Sequence, residues 1–326
     1  MTSHPLEFSE DLQDTSPATR IGLSRAGVSR SAKAIRLAFG GSEHYMDATV
    51  ECVVDLDPDQ KGVHMSRFEE EVNEAIDAVL IGEAVAIEAL AENIARRVVE
   101  RQGALRGMAT IRARYPVEKR TPVTDVATQE MYGLIGTAAA RPGASRRAVG
   151  VSAQGMNACP CAQGLVREQA EAALSADGFT PEEIDRIVAR VPIATHNQRA
   201  RGTLIVGVPG IVDIPADDLI AIVEDGMSSE IYELLKRPDE LYVVDRAHRR
   251  PRFVEDSVRA MIAGVIEQFP GLPDDAFVSA NQENYETIHT HDVEAARYGV
   301  LGQMRAEVAG GEHSSRHLTV TEWLDA

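Results

Sequence analysis

The order in which the chain changes its hydrophobic period is the feature that most limits its fold. Residues 35–39 (Ile-Arg-Leu-Ala-Phe) and 48–56 (Ala-Thr-Val-Glu-Cys-Val-Val-Asp-Leu) are the clearest strands in an extended stretch over 20–58. Asp57-Pro58-Asp59 marks a turn, and two segments of helical period follow. Val72, Ile76 and Val79 share one face of a helix over 66–80. Ile87, Leu90, Ala91, Ile94 and Val98 do the same over 84–102, with Gly103 as C-cap. Extended segments return over 107–116 and 125–138, before a Pro-Gly turn at 142–143.

The second half echoes this order. A strand over 148–156 leads to Cys159, and a helix is expected over 165–176. Thr180-Pro181-Glu182-Glu183 starts another helix, with Thr as N-cap, Pro at the first position and Glu183 in the capping-box position. A strand over 204–212, two helical pieces over 215–235 and a helix over 253–268 come next. Strands over 277–281 and 304–309 precede a polar tail. This predicts an α+β fold with antiparallel sheet and two related halves, about 20–140 and 145–310, between an N-terminal arm (1–19) and a C-terminal tail (311–326). No internal sequence repeat supports the duplication, which rests on element order alone.

The chain has 326 residues, enough to bury a full core. No apolar run approaches the roughly 18 to 20 residues of a membrane helix, and the polar, acidic N-terminus lacks the parts of a signal peptide. A cytoplasmic protein without membrane contact is expected. The net charge of −18 argues against nucleic acid as a partner. Lysine occurs only at Lys33, Lys61, Lys119 and Lys236. Acid excess with so little lysine suggests a halophilic protein, because at about 1 M salt the Debye length is roughly 3 Å and carboxylate repulsion is screened.

Three cysteines, Cys52, Cys159 and Cys161, make no disulfide framework. The one-residue spacing of Cys159-Pro160-Cys161, without a second pair, excludes a four-cysteine structural metal site. One thiolate with histidine and carboxylate partners would make an open, catalytic site; two buried thiols acting as small hydrophobes is the alternative. His196 lies in a polar turn ahead of a strand. His289 and His291 would share a face if their segment is extended. Pro238 and Pro251 break any continuous helix between Glu240 and Glu255. His64-Met65-Ser66-Arg67 opens a helix, with Ser66 as a suitable N-cap and Arg67 near a phosphate-favouring terminus.

Taken in order, Gly62-Val63-His64-Met65-Ser66-Arg67, Cys159-Pro160-Cys161, His196-Asn197-Gln198-Arg199, Leu234-Leu235-Lys236-Arg237-Pro238-Asp239-Glu240, Pro251-Arg252-Phe253-Val254-Glu255-Asp256 and Glu286-Thr287-Ile288-His289-Thr290-His291 resemble the type IB GTP cyclohydrolase family, its archaeal branch most of all. The likeness runs over about residues 20–310. It implies the tunnelling fold, with a barrel completed in a homo-oligomer, dimer or tetramer, and active sites at the interfaces. It implies Fe(II), with Zn or Mn as other occupants, and GTP as substrate. Ring opening would release formate and give 7,8-dihydroneopterin 2′,3′-cyclic phosphate for pterin biosynthesis of the methanopterin or folate type; bacterial members make the triphosphate.

By the same resemblance Cys159, His196 and Glu240 are metal ligands, and Cys159, Glu255 and His289 are catalytic. Glu286 would bind the purine's N–H edge through two parallel hydrogen bonds. Arg67, His64 and Arg199 would meet the rest of the substrate, and Cys161 and His291 are further candidates. Residues 162–195 separate the cysteines from His196, a departure from the bacterial spacing that puts the pairing of Cys159 with His196 in question. Two other readings compete. A tunnelling-fold nitrile reductase would use Cys159 as nucleophile without a metal, and a purine- or pterin-binding module would keep Glu286 but has no use for the thiol, histidines and acids together.

Overall fold

The computed structural model describes residues 12–39, 42–81, 86–210, 214–313 and 317–326. Strands β1 (Leu23–Phe39) and β2 (Ser42–Leu56) are followed by helices α1 (Met65–Ile81) and α2 (Ile87–Gln102). Strands β3 (Gly107–Arg120), β4 (Ala127–Arg141) and β5 (Ala144–Ala158) lead to α3 (Pro160–Ala176) and α4 (Pro181–Arg190). Then come β6 (Asn197–Gly207), α5 (Ala216–Asp225), β7 (Ser229–Glu230), α6 (Arg237–Arg249), α7 (Val254–Gln268), β8 (Phe277–Asn284), β9 (Val293–Val300), α8 (Leu301–Val308) and α9 (Val320–Asp325). The architecture is α+β, and β1/β2, β2/β3, β5/β7, β6/β8 and β8/β9 pair antiparallel.

The chain forms two compact units. One holds Met1–Ala113, Ile135–Ala148 and Leu324–Ala326; the other holds Arg114–Leu134 and Val149–Trp323. In the first, the sheet order runs β1-β2-β3-β4-β5, and α2 lays Leu90, Ala91, Ile94 and Val98 against it. Phe68, Val72 and Ala75 of α1 complete the layer, each almost fully buried. A fully buried side chain of this kind stabilises by about 1.5–3 kcal/mol. Gly136 is required here, because a Cβ would stand 2.5 Å from the carbonyl oxygen of Ile87. Gly103 closes α2 in the left-handed region (φ 65°), as its position predicts.

In the second unit the order is β3-β4-β5-β6-β8-β9, with β7 beside β5. Helix α7 packs Val258, Met261, Ile262 and Val265 toward β8 and β9, and α5 packs against α7 and β6. Helices α3 and α4 pair with each other as an excursion between β5 and β6. Both halves of the Thr180–Glu183 capping box form.

Several local expectations change. The 304–309 strand is α8: Leu301 and Met304 are buried three residues apart, a helical spacing. The tail contains α9, whose Trp323 stacks near Phe277 and donates its indole N–H to the Asp275 carbonyl. Helical structure over 215–235 stops at Asp225, where Gly226 and the buried Ser228 and Ser229 lead into β7. Helix α1 begins at Met65, so Ser66 lies inside its first turn rather than at the N-cap, and the His64 carbonyl accepts from Arg67 N–H. Strand β9 carried no sequence signal, its burial being partial and irregular. Helix 84–102 begins at Ile87; residues 84 and 85, the end of the 204–212 strand, and 1–11 of the arm lie outside the described residues. Among the described residues no helix is long and apolar enough to cross a membrane.

One buried carboxylate fixes the entry to α6. Asp239 accepts from the Val123 and Thr124 N–H groups (2.9 Å each), the Thr124 hydroxyl (2.5 Å) and the Lys236 N–H (3.0 Å). Burial pushes its carboxyl up, but the bonds from Thr124, Lys236 and Val123 outweigh that and hold it well below the usual carboxylate range. Folded Asp239 therefore binds its proton more weakly than in the unfolded chain. Its stabilisation is fully present above about pH 4 and is lost as pH falls toward the depressed value. Urea denaturation across pH is expected to show Asp239→Asn less stable at neutral pH, with a shallower loss of stability in acid than the parent. Equal acid slopes in the two proteins would rule this role out.

Candidate active site

Most of the sequence-predicted site residues meet in one cavity of the second unit. Cys159, His196, Gln198, Glu255, Glu286, His289 and His291 line it, with Arg252 and Asn284. Cys159 follows β5 directly and is the N-cap residue of α3. Its thiol makes no capping bond, and Pro160 starts the helix. His196 lies just before β6 and Gln198 is the second residue of that strand, and their side chains meet, His196 Nδ1 lying 3.1 Å from Gln198 Oε1.

The separation of the cysteines from His196 is closed by backbone contacts. The Cys159 N–H donates to the His196 carbonyl (3.1 Å), and the Thr195 hydroxyl donates to the Cys159 carbonyl (2.8 Å). Helices α3 and α4 thus leave and return at one point. The Gln163 amide seals the exit by donating to the Ile193 and His248 carbonyls.

Glu286 and the histidines sit on the bend between β8 and β9. This bend, 287–291, is not extended, yet the rings of His289 and His291 stack with centroids 5.3 Å apart. The His196 ring meets that of His289 edge-on at 6.5 Å. Asp292 closes the bend by accepting from the Glu286 N–H (3.0 Å), and the Thr287 hydroxyl donates to the Asn197 carbonyl. The Glu286 side chain is only 7% exposed, and Gln198 Nε2 donates to its Oε1 (3.1 Å).

Beneath the cavity lies a buried polar network that motif reading missed. Asn157 Nδ2 donates to Asn284 Oδ1 (3.0 Å) and Ser257 Oγ (3.1 Å), while its Oδ1 accepts from Ser228 N–H (2.9 Å). Ser228 Oγ accepts from Ala158 N–H, the residue before Cys159. The only sequence signal was the set of polar residues in otherwise apolar β5 and β8 positions.

Other candidates fall elsewhere. Glu255 is exposed on the first turn of α7 at the cavity. Glu240 is exposed on the first turn of α6 and does not line the cavity. Arg199 is exposed, points off the other face of β6, and is absent from the lining, as is the exposed Cys161. His64 and Arg67 belong to the first unit, where His64 is buried and its backbone is tied to the Gln102 side chain. Cys52 is buried in β2, and burial pushes its thiol up to about 12.

As a test for metal, the donors present have the right chemistry. A thiolate and an imidazole suit Fe(II) or Zn(II), and carboxylates stand in the same cavity. Among the described residues no three His, Cys, Asp or Glu side chains stand close enough to enclose an ion unaided. Such a pair of donors leaves positions to water or substrate.

Fold and cavity define an α+β enzyme that offers one thiol, imidazoles and carboxylates to a polar substrate. The chain belongs to the type I GTP cyclohydrolase family: the family model for type I GTP cyclohydrolase folE2 matches residues 10–295. It is 38% identical over 305 residues to GTP cyclohydrolase MptA of Methanococcus aeolicus, covering 91% of this chain and 99% of that one. It is 35% identical over 308 residues to GTP cyclohydrolase MptA of Methanosarcina mazei, covering 92% and 97%. Among solved structures, uricase from Arthrobacter globiformis aligns with a TM-score of 0.48 at 10% identity, covering 85% of this chain and 93% of that one.

The burial of Cys52 sets an expectation for thiol chemistry, because the thiolate is the reactive form. Titration of the native protein with a thiol reagent is expected to modify Cys159 and Cys161 quickly, and Cys52 only on unfolding. Rapid modification of Cys52 in the native state would contradict its placement.

Proposed function

We propose that this chain is a metal-dependent cyclohydrolase that opens the imidazole ring of GTP, releases formate and makes 7,8-dihydroneopterin 2′,3′-cyclic phosphate. The observation that carries the reading is the hydrogen bond from Cys159 N–H to the His196 carbonyl. It joins the backbones of the two residues, both of which line the cavity that Glu286 also lines. The cyclic phosphate is what the resemblance to the archaeal branch of the family implies; the triphosphate is the alternative product.

In this reading Cys159 and His196 hold the ion, Fe(II) in preference to Zn or Mn, with Glu240 as third ligand on the family resemblance alone. When bound, such an ion turns water into a nucleophile near neutral pH. Glu286 accepts from the N–H groups of the guanine edge through both carboxylate oxygens, which fixes C8 of the base in place. Glu255 and His289 then serve the proton transfers: one takes a proton from the attacking water, the other gives one to the departing ring nitrogen. Water adds to C8, the ring opens, and a second hydrolysis frees formate. The opened ribose carbons then close the new ring on the freed amine with loss of water. The hydroxyl freed from the ribose ring attacks the innermost phosphate, so that diphosphate leaves and the cyclic phosphate remains.

Assembly belongs to the same proposal. The long β1 ends the strand order of the first unit and β9 that of the second, and unpaired edges of this kind invite pairing with another chain. A tunnelling-fold barrel closed in a homo-oligomer uses them. His291 would support His289; His64, Arg67 and Arg199, which do not line this cavity, keep their substrate role on the family resemblance alone, in a site that the oligomer completes.

The test is direct. GTP with Fe(II), anaerobic and in high salt, is expected to yield formate and a product that turns fluorescent on oxidation. Cys159→Ala and His196→Ala should lose metal and at least about 100-fold in kcat/KM. Full GTP turnover after complete chelation would overturn the metal dependence, and oxidation of a reduced nicotinamide with a nitrile substrate would instead favour the reductase reading. Separately, Glu286→Gln is expected to raise KM for GTP by roughly 10- to 100-fold, since an amide accepts at one atom where a carboxylate accepts at two. An unchanged KM would remove Glu286 from the base-binding role.

A further inference from the structure

We propose that Gln198 is a positioning residue that fixes both the tautomer of His196 and the orientation of the Glu286 carboxylate; the proposal rests on the cyclohydrolase reading of the site. Gln198 is 5% exposed and belongs to no role assigned above. Its side chain lies between two groups. Oε1 is 3.1 Å from His196 Nδ1, and Nε2 is 3.1 Å from Glu286 Oε1.

Chemistry allows one arrangement. An ionised carboxylate only accepts hydrogen bonds, so the end of the amide that faces Glu286 must be the NH2 group. The reversed amide would set two oxygens against each other at that distance. The carbonyl end therefore faces His196 Nδ1, and an oxygen there requires Nδ1 to carry the proton. The second oxygen of Glu286 lies 3.8 Å from the same Nδ1 and favours the same tautomer. His196 is thus left with its lone pair on Nε2, the atom available to a metal or to a substrate proton. One amide ties the group that grips the guanine edge to the group beside Cys159, so the two ends of the site are set together.

The two arms separate by substitution. Gln198→Glu keeps an acceptor for His196 Nδ1–H but puts a like charge against Glu286. Gln198→Ala removes both arms. Nitrogen-15 histidine spectra of the full-length chain, metal-free and zinc-loaded, would be recorded at about pH 8, above the ordinary histidine range. The His196 signals would be assigned with His196→Asn. The parent and Gln198→Glu are expected to show a protonated Nδ1 and an unprotonated or metal-bound Nε2. Gln198→Ala is expected to lose that preference.

In GTP turnover, Gln198→Ala should lower kcat by about 10- to 100-fold and raise KM, the usual scale for a residue behind a ligand. Gln198→Glu should raise KM by about 10-fold with a smaller fall in kcat. Thermal melting of each variant controls for folding. A proton on Nε2 in the parent, or a folded Gln198→Ala with parental spectra and kinetics, would overturn the proposal. If the parent releases no formate from GTP while the histidine spectra behave as stated, the cyclohydrolase reading fails and the positioning of His196 stands.

Discussion

The whole site depends on satisfying the amide of Asn157, which is fully buried. A buried amide without partners costs about 1–3 kcal/mol per unmatched group, so its surroundings must supply them. Those partners come from three places: Ser228 after α5, Ser257 on α7 and Asn284 at the end of β8; Ser228 Oγ in turn accepts from Ala158 N–H. The bonds fix where β5 ends, and the next residue is Cys159. They also fix where β8 ends, two residues before Glu286. Arg252 adds to this by donating its N–H to the Ala158 carbonyl, which places the start of α7 and Glu255 at the same point. The backbone positions of Cys159, Glu255 and Glu286 are therefore set by polar bonds beneath the cavity, while Gln198 bonds the Glu286 carboxylate itself.

Much of the fold was legible because period alone reveals it. The two helices after β2, the Gly103 cap and the Thr180 box are local devices whose signal lies within a few residues. Strand β9 and helix α8 were not legible in this way. Residues 293–300 are a mixed, mostly half-exposed run without clean alternation, and they pair along β8 from Phe277 to Asn284. Leu301 and Met304 are too few to separate a helix from a strand in a short run.

The site was legible as residue types and only partly as geometry. Cys159, His196, Glu255, Glu286, His289 and His291 come together. In Lys236-Arg237-Pro238-Asp239-Glu240 the motif drew attention to Glu240, while the buried group is its neighbour Asp239, spent on capping α6 and holding the 121–126 turn. Two adjacent acids look alike in sequence; only the fold decides which one faces inward. Gln198 was overlooked for a related reason. An amide carries no charge and no reactive atom, and its importance appears only when its two ends are seen to face groups that demand opposite things of it.

The excursion through α3 and α4 shows how such a site tolerates a long insertion. Closing a flexible loop costs only about 0.6 kcal/mol more for each doubling of its length, so 36 residues between Cys159 and His196 are not a serious entropic burden. What matters is that the exit and the return stay in register. Three contacts accomplish this: Cys159 N–H to His196 O, the Thr195 hydroxyl to Cys159 O, and Gln163 to Ile193 O. Helix α3 itself buries none of its residues. The register of the site thus rests on the contacts at the base of the excursion and not on burial of α3.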